Sequence, residues 1–281
     1  MNKLLLVDGS NLLFQMFFGM PARIFNRSGK PVHGTVGFIG ALLKIIRMTK
    51  PTHVTVLFDG EHENARADLN ADYKANRPDY SKASDEDNPF TQLPDIYAAI
   101  DNLKIKRAET TVCETDDWIS AYALTYGKDT QIVISSFDSD YFQLITDKIS
   151  VLRYRGVKTE ICTPNYVLNR YGVSPSQYAD FKSLVGDSSD NIKGADKIGP
   201  KTAAALLKEF DNLENIIANA DRIERQSVRE SVVKNTERLK TNYQLIKLTD
   251  GAILPFRLDD LIYAVPPSTT TEVLKSTGIL P

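Results

Sequence analysis

The sequence predicts an α/β fold: a mostly parallel sheet flanked by helices, followed by a smaller helical subdomain. Three observations carry this prediction. Apolar runs at Lys3–Asp8, His53–Phe58 and Gln131–Ser135 have strand length, and each leads to aspartate: Asp8 and Asp59 directly, Asp138 and Asp140 shortly after the third. Helical patterning lies between these runs, and strands alternating with helices build parallel sheets covered on both faces. From Thr163-Pro164 onward no such strand recurs, and the chain reads as short helices. The expected division is a core over 1–163 and a helical subdomain over 164–281. With 281 residues, 42% of them hydrophobic, the chain has enough apolar surface for a sizeable core.

Taken in order, Asp8 is followed by Gly9-Ser10-Asn11, a turn into a helix. Val36 to Met48 carries apolar residues at Phe38, Ile39, Leu42, Leu43, Ile45 and Ile46, the spacing of a buried helix that ends before Pro51. Arg66 to Arg77 reads as a basic helical segment. Arg66, Lys74 and Arg77 suit phosphate and Tyr73 suits stacking on a base, although a solvated helix face would have the same composition. Residues 78–94 form a polar loop or lid, acidic at Asp85-Glu86-Asp87. Glu114-Thr115-Asp116-Asp117 opens a helix through Tyr126. Acids in a first turn also favour the helix dipole by about 0.3–1 kcal/mol each, so capping alone would explain them. Val151–Tyr154 and Val157–Cys162 are paired strands. Helices follow at about 165–171, 176–185 and 200–210, then amphipathic stretches across 212–248 and a last helix near 268–277.

Two chemistries adjoin between Val185 and Leu206. Asp187 and Asp190 lie on a Gly/Ser/Asn-rich turn, from which short carboxylates reach a metal; capping of turns is the plain alternative. Then Ile198-Gly199-Pro200-Lys201-Thr202-Ala203 is a tight turn into a helix. Pro200 suits the first helical position, Gly199 permits close backbone approach, and the free N–H groups face any arriving anion. A metal half-site joined to a phosphate half-site points to phosphodiester cleavage. In parallel sheets the ligand crevice lies beyond the carboxyl ends of the strands, where the three strand-end aspartates would meet.

The candidate metal-facing acids are therefore Asp8, Asp59, Glu114, Asp116, Asp117, Asp138, Asp140, Asp187 and Asp190. Setting these nine aside leaves 27 acids against 34 lysines and arginines, so the net charge of -2 does not argue against DNA. His33, His53 and His62 have no ligand spacing. Cys113 and Cys162 lack metal or redox spacing and read as core thiols. With no membrane-length apolar run and no signal-peptide pattern, a cytoplasmic protein without a membrane partner is expected.

The combination resembles the bacterial and phage 5′-3′ exonuclease and flap endonuclease family, including the 5′-nuclease domain of DNA polymerase I, over about residues 3–250. The motifs are Leu6-Val7-Asp8-Gly9, Phe58-Asp59, Tyr73-Lys74-Ala75-Asn76-Arg77, Glu114-Thr115-Asp116-Asp117 and Asp138-Ser139-Asp140. Gly186-Asp187-Ser188-Ser189-Asp190-Asn191-Ile192 and Ile198-Gly199-Pro200-Lys201-Thr202-Ala203 complete the set. The resemblance implies a Rossmann-like (PIN-type) sheet and a helix–two-turn–helix element over about 184–210. It implies a structure-specific nuclease using two Mg2+ ions, replaceable by Mn2+, with K+ at the helix–two-turn–helix element. Asp8, Asp59, Glu114 and Asp116 would serve mainly one ion, Asp138, Asp140, Asp187 and Asp190 the other, with Asp117 nearby. Asp8, Asp59, Asp116, Asp138, Lys74 and Arg77 carry catalysis in this reading. Arg66, Tyr73, Lys74, Arg77, Lys197, Gly199, Lys201 and Thr202 bind DNA. The implied substrate is DNA with 5′ ends, flaps or branches, cut by a monomer to 5′-phosphate and 3′-hydroxyl ends. Because no polymerase sequence follows, a stand-alone nuclease is expected. Three positions depart from the family pattern: Gln15 where arginine is common, Phe137 where a small or hydroxyl residue is usual, and Lys197 where glycine is frequent. The alternative is a non-catalytic DNA-binding relative, which the complete acid set disfavours.

Overall fold

A computed structural model describes residues 2–60, 66 and 69–281. Six strands form the main sheet: β1 (Lys3–Asp8), β2 (His53–Phe58), β3 (Lys106–Glu109), β4 (Gln131–Ser135), β5 (Ile149–Arg153) and β6 (Glu160–Cys162). Their order is β3-β2-β1-β4-β5-β6, parallel throughout except for antiparallel β6. Central β1 is covered on both sides. Leu4 and Leu6 pack with Trp118, Ile119 and Tyr122, while Leu5 and Val7 pack with Phe38, Ile39 and Leu42. This two-sided burial is why the strand reads as an unbroken apolar run rather than an alternating one.

Helix α1 (Gly9–Gly19) starts immediately after β1, capped by Asp8, which accepts from the Asn11 N–H at 3.0 Å. Glycine is required at position 9, because a Cβ there would lie 2.6 Å from the Phe58 ring. Helix α2 (His33–Thr49) begins three residues before the predicted Val36 and ends at left-handed Lys50, ahead of Pro51. Helix α3 (Leu93–Asn102) and strand β3 have no counterpart in the sequence-based reading. β3 is the edge strand Lys-Arg-Ala-Glu, half exposed, so it lacks the apolar signal of a central strand. Helix α4 (Thr115–Tyr126) covers the opposite face.

The segment predicted as a helix over 66–77 is helical at Arg66 and Leu69 and is corrected over 71–76. From Ala71 to Asn76 the chain runs through turns, and the reason is local. Lys74 has a left-handed φ of 56°, and its N–H donates to the Asp190 carbonyl at 3.0 Å instead of an intrahelical acceptor. Residues 78–88 likewise hold no helix.

After β6 come α5 (Pro164–Tyr171), α6 (Tyr178–Val185), α7 (Pro200–Phe210), α8 (Leu213–Ala218), α9 (Gln226–Lys234), α10 (Thr236–Ile246) and α11 (Thr270–Ser276). α6 packs on α7 and α10, while α11 returns to α2 and α3. Between α6 and α7 a two-residue ladder pairs β7 (Gly186–Asp187) with β8 (Ile192–Lys193). Gly186 has φ +84°, and a Cβ there would meet the Gly194 backbone nitrogen at 2.4 Å. No helix among the described residues is long and apolar enough to cross a membrane.

Lys197 adopts φ 63°, in the left-handed region that favours glycine. Lys197→Gly is therefore expected to stabilise the fold by about 0.5–1 kcal/mol. Thermal melting checks this, and a lower melting temperature would contradict it.

Candidate active site

The strand order reverses direction at β1, with β2 on one side and β4 on the other, and a cleft opens beyond the carboxyl ends of these strands. Asp8, Asp59, Glu114, Asp116 and Asp138 line it together. Backbone N–H groups and neighbouring side chains hold them in place. Asp8 Oδ2 accepts from Ser136 Oγ at 2.9 Å and Tyr141 Oη at 3.3 Å. Asp59 Oδ1 accepts from the Thr115 N–H at 2.8 Å, and its own N–H donates to Ser10 Oγ at 2.8 Å. Asp138 Oδ1 accepts from the Asp140 N–H at 2.8 Å, and Asn11 Oδ1 accepts from the Phe137 N–H at 2.9 Å. Ser10, Asn11, Ser136 and Tyr141 thus frame the acids. Three of the four are common turn residues whose sequence context gave no sign of this work.

Asp140, Asp187 and Asp190 form a second group, offering carboxylate oxygens within 4.8 Å of one another. Lys182, absent from the sequence-based reading, is buried on α6 and pairs with both Asp140 and Asp187. The available signal was a lysine within the otherwise apolar face of Tyr178, Phe181 and Leu184, five residues before Asp187. Asp117 stands apart from the cleft. One of its oxygens accepts from the Glu114 N–H at 3.0 Å, closing a capping box on α4, and the other accepts from Arg66 at 2.6 Å.

The basic residues meet these acids directly. Arg66 pairs with Glu114, with Asp116 at 3.0 Å and with Asp117, which makes it an internal counter-ion in this conformation. Lys74 Nζ pairs with Glu114, and Arg77, more than half exposed, lies 3.3 Å from Asp190. Tyr73, the expected stacking residue, is turned towards the acids in this conformation. The residue is only 6% exposed and its hydroxyl donates to Glu114 at 3.0 Å. On the helical side, Lys197, Gly199 and Lys201 are exposed and Thr202 half-buried at the start of α7. No side chain caps that helix, and a Cβ on Gly199 would meet nothing within 4 Å, so the first N–H groups are open to a ligand.

Burial, reinforced by Asp59, pushes the Asp8 carboxyl up to about 7, against the hydrogen bonds from Asn11 and Ser136. Burial acts in the same direction on Glu114, but Lys74 and then Arg66 overcome it and hold that carboxyl at about 2. Burial likewise opposes the charge on Lys182, yet Asp140 and Asp187 keep its ammonium well above the ordinary lysine range. A basic partner does not settle the matter by itself: burial also pushes Asp116 well above the usual carboxylate range beside Arg66, and Asp140 up to about 7 beside Lys182. Cys113 is half-buried and Cys162 buried; burial raises both thiols, Cys113 to about 11, which leaves them unreactive. His33 and His53 are core residues, and His62 lies outside the described residues.

The architecture is that of known 5′-nucleases. The bacteriophage T5 5′-exonuclease, in a structure with divalent zinc ions bound, matches 98% of this chain and 100% of its own length at a TM-score of 0.74 and 22% identity. The catalytic core of Rad2 in complex with DNA substrate matches 100% of this chain and 88% of its own at a TM-score of 0.62 and 17% identity. Two family models match consecutive stretches: the N-terminal resolvase-like domain of 5′-3′ exonucleases over residues 3–172, and their C-terminal SAM fold over 173–269. The chain belongs to the 5′-3′ exonuclease family. Among curated relatives, the thermostable DNA polymerase I of Thermus thermophilus is 36% identical over 258 residues, covering 92% of this chain and 30% of that protein. DNA polymerase I of Bacillus subtilis is 33% identical over 264 residues, covering 93% and 29%. The chain thus spans under a third of the length of these relatives.

Proposed function

We propose that the protein is a structure-specific, divalent-metal-dependent 5′-nuclease that hydrolyses DNA phosphodiesters to 5′-phosphate and 3′-hydroxyl ends. The observation that carries this reading is the convergence of Asp8, Asp59, Glu114, Asp116 and Asp138 on one cleft, beside Asp140, Asp187 and Asp190. The donor set is all carboxylate oxygen, with no histidine or cysteine in it, which suits Mg2+ or Mn2+ better than zinc. The raised proton affinity of Asp8 marks a site short of positive charge. Asp8, Asp59, Glu114 and Asp116 would hold one ion, and Asp138, Asp140, Asp187 and Asp190 the second. Asp117 would serve from the capping position, outside the cleft. Bound there, two ions supply a nucleophile from water at neutral pH and positive charge opposite both oxygens of an in-line displacement.

The chain's own cations do the rest. Lys74 lines the cleft and neutralises charge on the reacting phosphate, and Arg77, at its mouth, binds the same strand. Arg66 balances the acids of α4 rather than touching DNA first. Lys197, Gly199, Lys201 and Thr202 would grip duplex backbone through open N–H groups and two ammonium groups, and K+ would add to that turn as a helix–two-turn–helix element. Such contacts position DNA without reading its sequence. The expected substrates are 5′ ends, flaps and branches, with the protein acting as a monomer in the cytoplasm.

The test uses 5′-labelled and 3′-labelled flap and nicked DNA. Cleavage is expected with Mg2+ or Mn2+, lost in excess chelator and restored by added metal. Full cleavage in chelator would remove the metal from the mechanism.

A further inference from the structure

A second groove lies on the other side of α1 and continues from the acid cleft, because Asn11 and Phe14 line both. Its remaining walls are Gln15 and Phe18 of α1, Phe137, and Tyr154 and Arg155 at the end of β5, with no acid among its lining residues. Phe137 directly precedes the cleft residue Asp138, so the groove abuts the acids. The exposed Arg155 guanidinium stacks 5.2 Å from the centre of the Phe137 ring and has no carboxylate in ion-pair range among the described residues. Its turn is already ordered. The Arg155 N–H donates to Thr159 Oγ1 at 3.0 Å, and its carbonyl accepts from the Lys158 N–H at 3.0 Å. Gln15 ties α1 to this hairpin by donating to the Tyr154 carbonyl, so the groove floor is fixed as well.

A preordered, unpaired guanidinium on an aromatic shelf is suited to a phosphate, which it can bind through two donors at little ordering cost. Exposed Phe18 on the facing wall adds an apolar surface where a sugar or base can rest. Resting on the nuclease reading, we infer that this groove carries the DNA strand flanking the cleavage point, with Arg155 binding one backbone phosphate. The position has physical sense. The neighbouring cleft is strongly acidic, and a strand led across it needs a cation just outside the acids to offset their repulsion.

The experiment measures binding of flap DNA in excess chelator by the full chain, its Arg155→Ala variant and its Arg155→Lys variant, across a salt series. Arg155→Ala is expected to bind about tenfold more weakly, with its log-log salt slope reduced by about 0.9, while Arg155→Lys keeps most of the slope. Single neutral methylphosphonates are then placed at each phosphate within a few nucleotides of the cut. One of them should weaken the parent about tenfold and leave Arg155→Ala unaffected, because the contact is already gone. Unchanged affinity and slope in Arg155→Ala, or additive losses at every methylphosphonate, would overturn the inference. A parent that binds DNA yet never cleaves it with Mg2+ would fail the nuclease reading alone. The Arg155 side chain is exposed, so a matching melting temperature shows that the variant is folded.

Discussion

Replacing Asp187 and Asp190 together by asparagine is expected to reduce Mg2+-dependent cleavage by about a thousandfold or more, while DNA binding survives. The two side chains belong to one group with Asp140, and the loss removes two of its three carboxylates. The fold should tolerate the change. Lys182 keeps Asp140 as a partner, so the buried ammonium is not left alone, and the Lys74 N–H still meets the Asp190 carbonyl. With two negative charges fewer beside an anionic strand, metal-free binding should be equal or tighter. The competing account is that these aspartates only shape the turn between α6 and α7. Asp187 does accept from the Ser189 N–H at 2.9 Å, as a turn residue would. Asparagine caps about as well as aspartate, so that account predicts a variant that cleaves and melts like the parent. Near-normal cleavage by a well-folded double variant would take both residues out of the active site.

How much of this was legible follows from what each position asks of its side chain. β1, β2 and β4 are buried on both faces, so their signal is an unbroken apolar run that few other arrangements produce. Asp8 and Asp59 follow their runs at once and Asp138 shortly after its own, and parallel strand ends share one crevice, so topology alone places the three together. β3 was missed because an edge strand does not need apolar residues. The stretch around Tyr73 is ambiguous in sequence for a different reason. An aromatic between basic residues looks the same whether its ring faces solvent or a buried carboxylate, and only the bond between the Lys74 N–H and Asp190 turns the chain so that Tyr73 reaches Glu114. Lys182 shows the same limit. A lysine on an apolar helix face ordinarily snorkels to water, and only the fold brings Asp140 to it from 42 residues away. Lys197 is the converse case. The sequence marked it as standing where glycine is frequent, and the left-handed backbone supplies the physical reason for that preference.

Without divalent metal, the stability of the folded protein should fall as pH rises from about 4 to about 7, with Asp8, Asp140 and Asp116, all raised by burial, sharing that fall. The Asp8 carboxyl is pushed up to about 7 in the fold, first by burial and then by Asp59, whereas an unfolded aspartate titrates at 3.8. Between those values the folded state keeps a proton that the unfolded state has shed. The stabilisation is therefore complete below about 4 and disappears as pH passes 7, an effect on the order of 4 kcal/mol for a fully buried group. The direction is opposite to that of a carboxylate whose cationic partners outweigh its burial. Glu114, held at about 2 by Lys74 and Arg66, loses its stabilising contribution only below about 4. Mg2+ should flatten the fall, because an ion that binds the ionised acids of the folded state stabilises it most where those acids have lost their protons. Asp8→Asn should reduce the metal-free slope by its own share, leaving that of Asp140 and Asp116, and should reduce the gain from Mg2+, since it deletes both a raised proton site and a carboxylate of the cleft. Urea denaturation from pH 4 to 8, with chelator and with Mg2+, reads all of these effects. Metal-free stability that rises through this window in the parent, or an Asp8→Asn variant with the parent's slope and Mg2+ response, would show that Asp8 is neither uncompensated nor a metal-facing group.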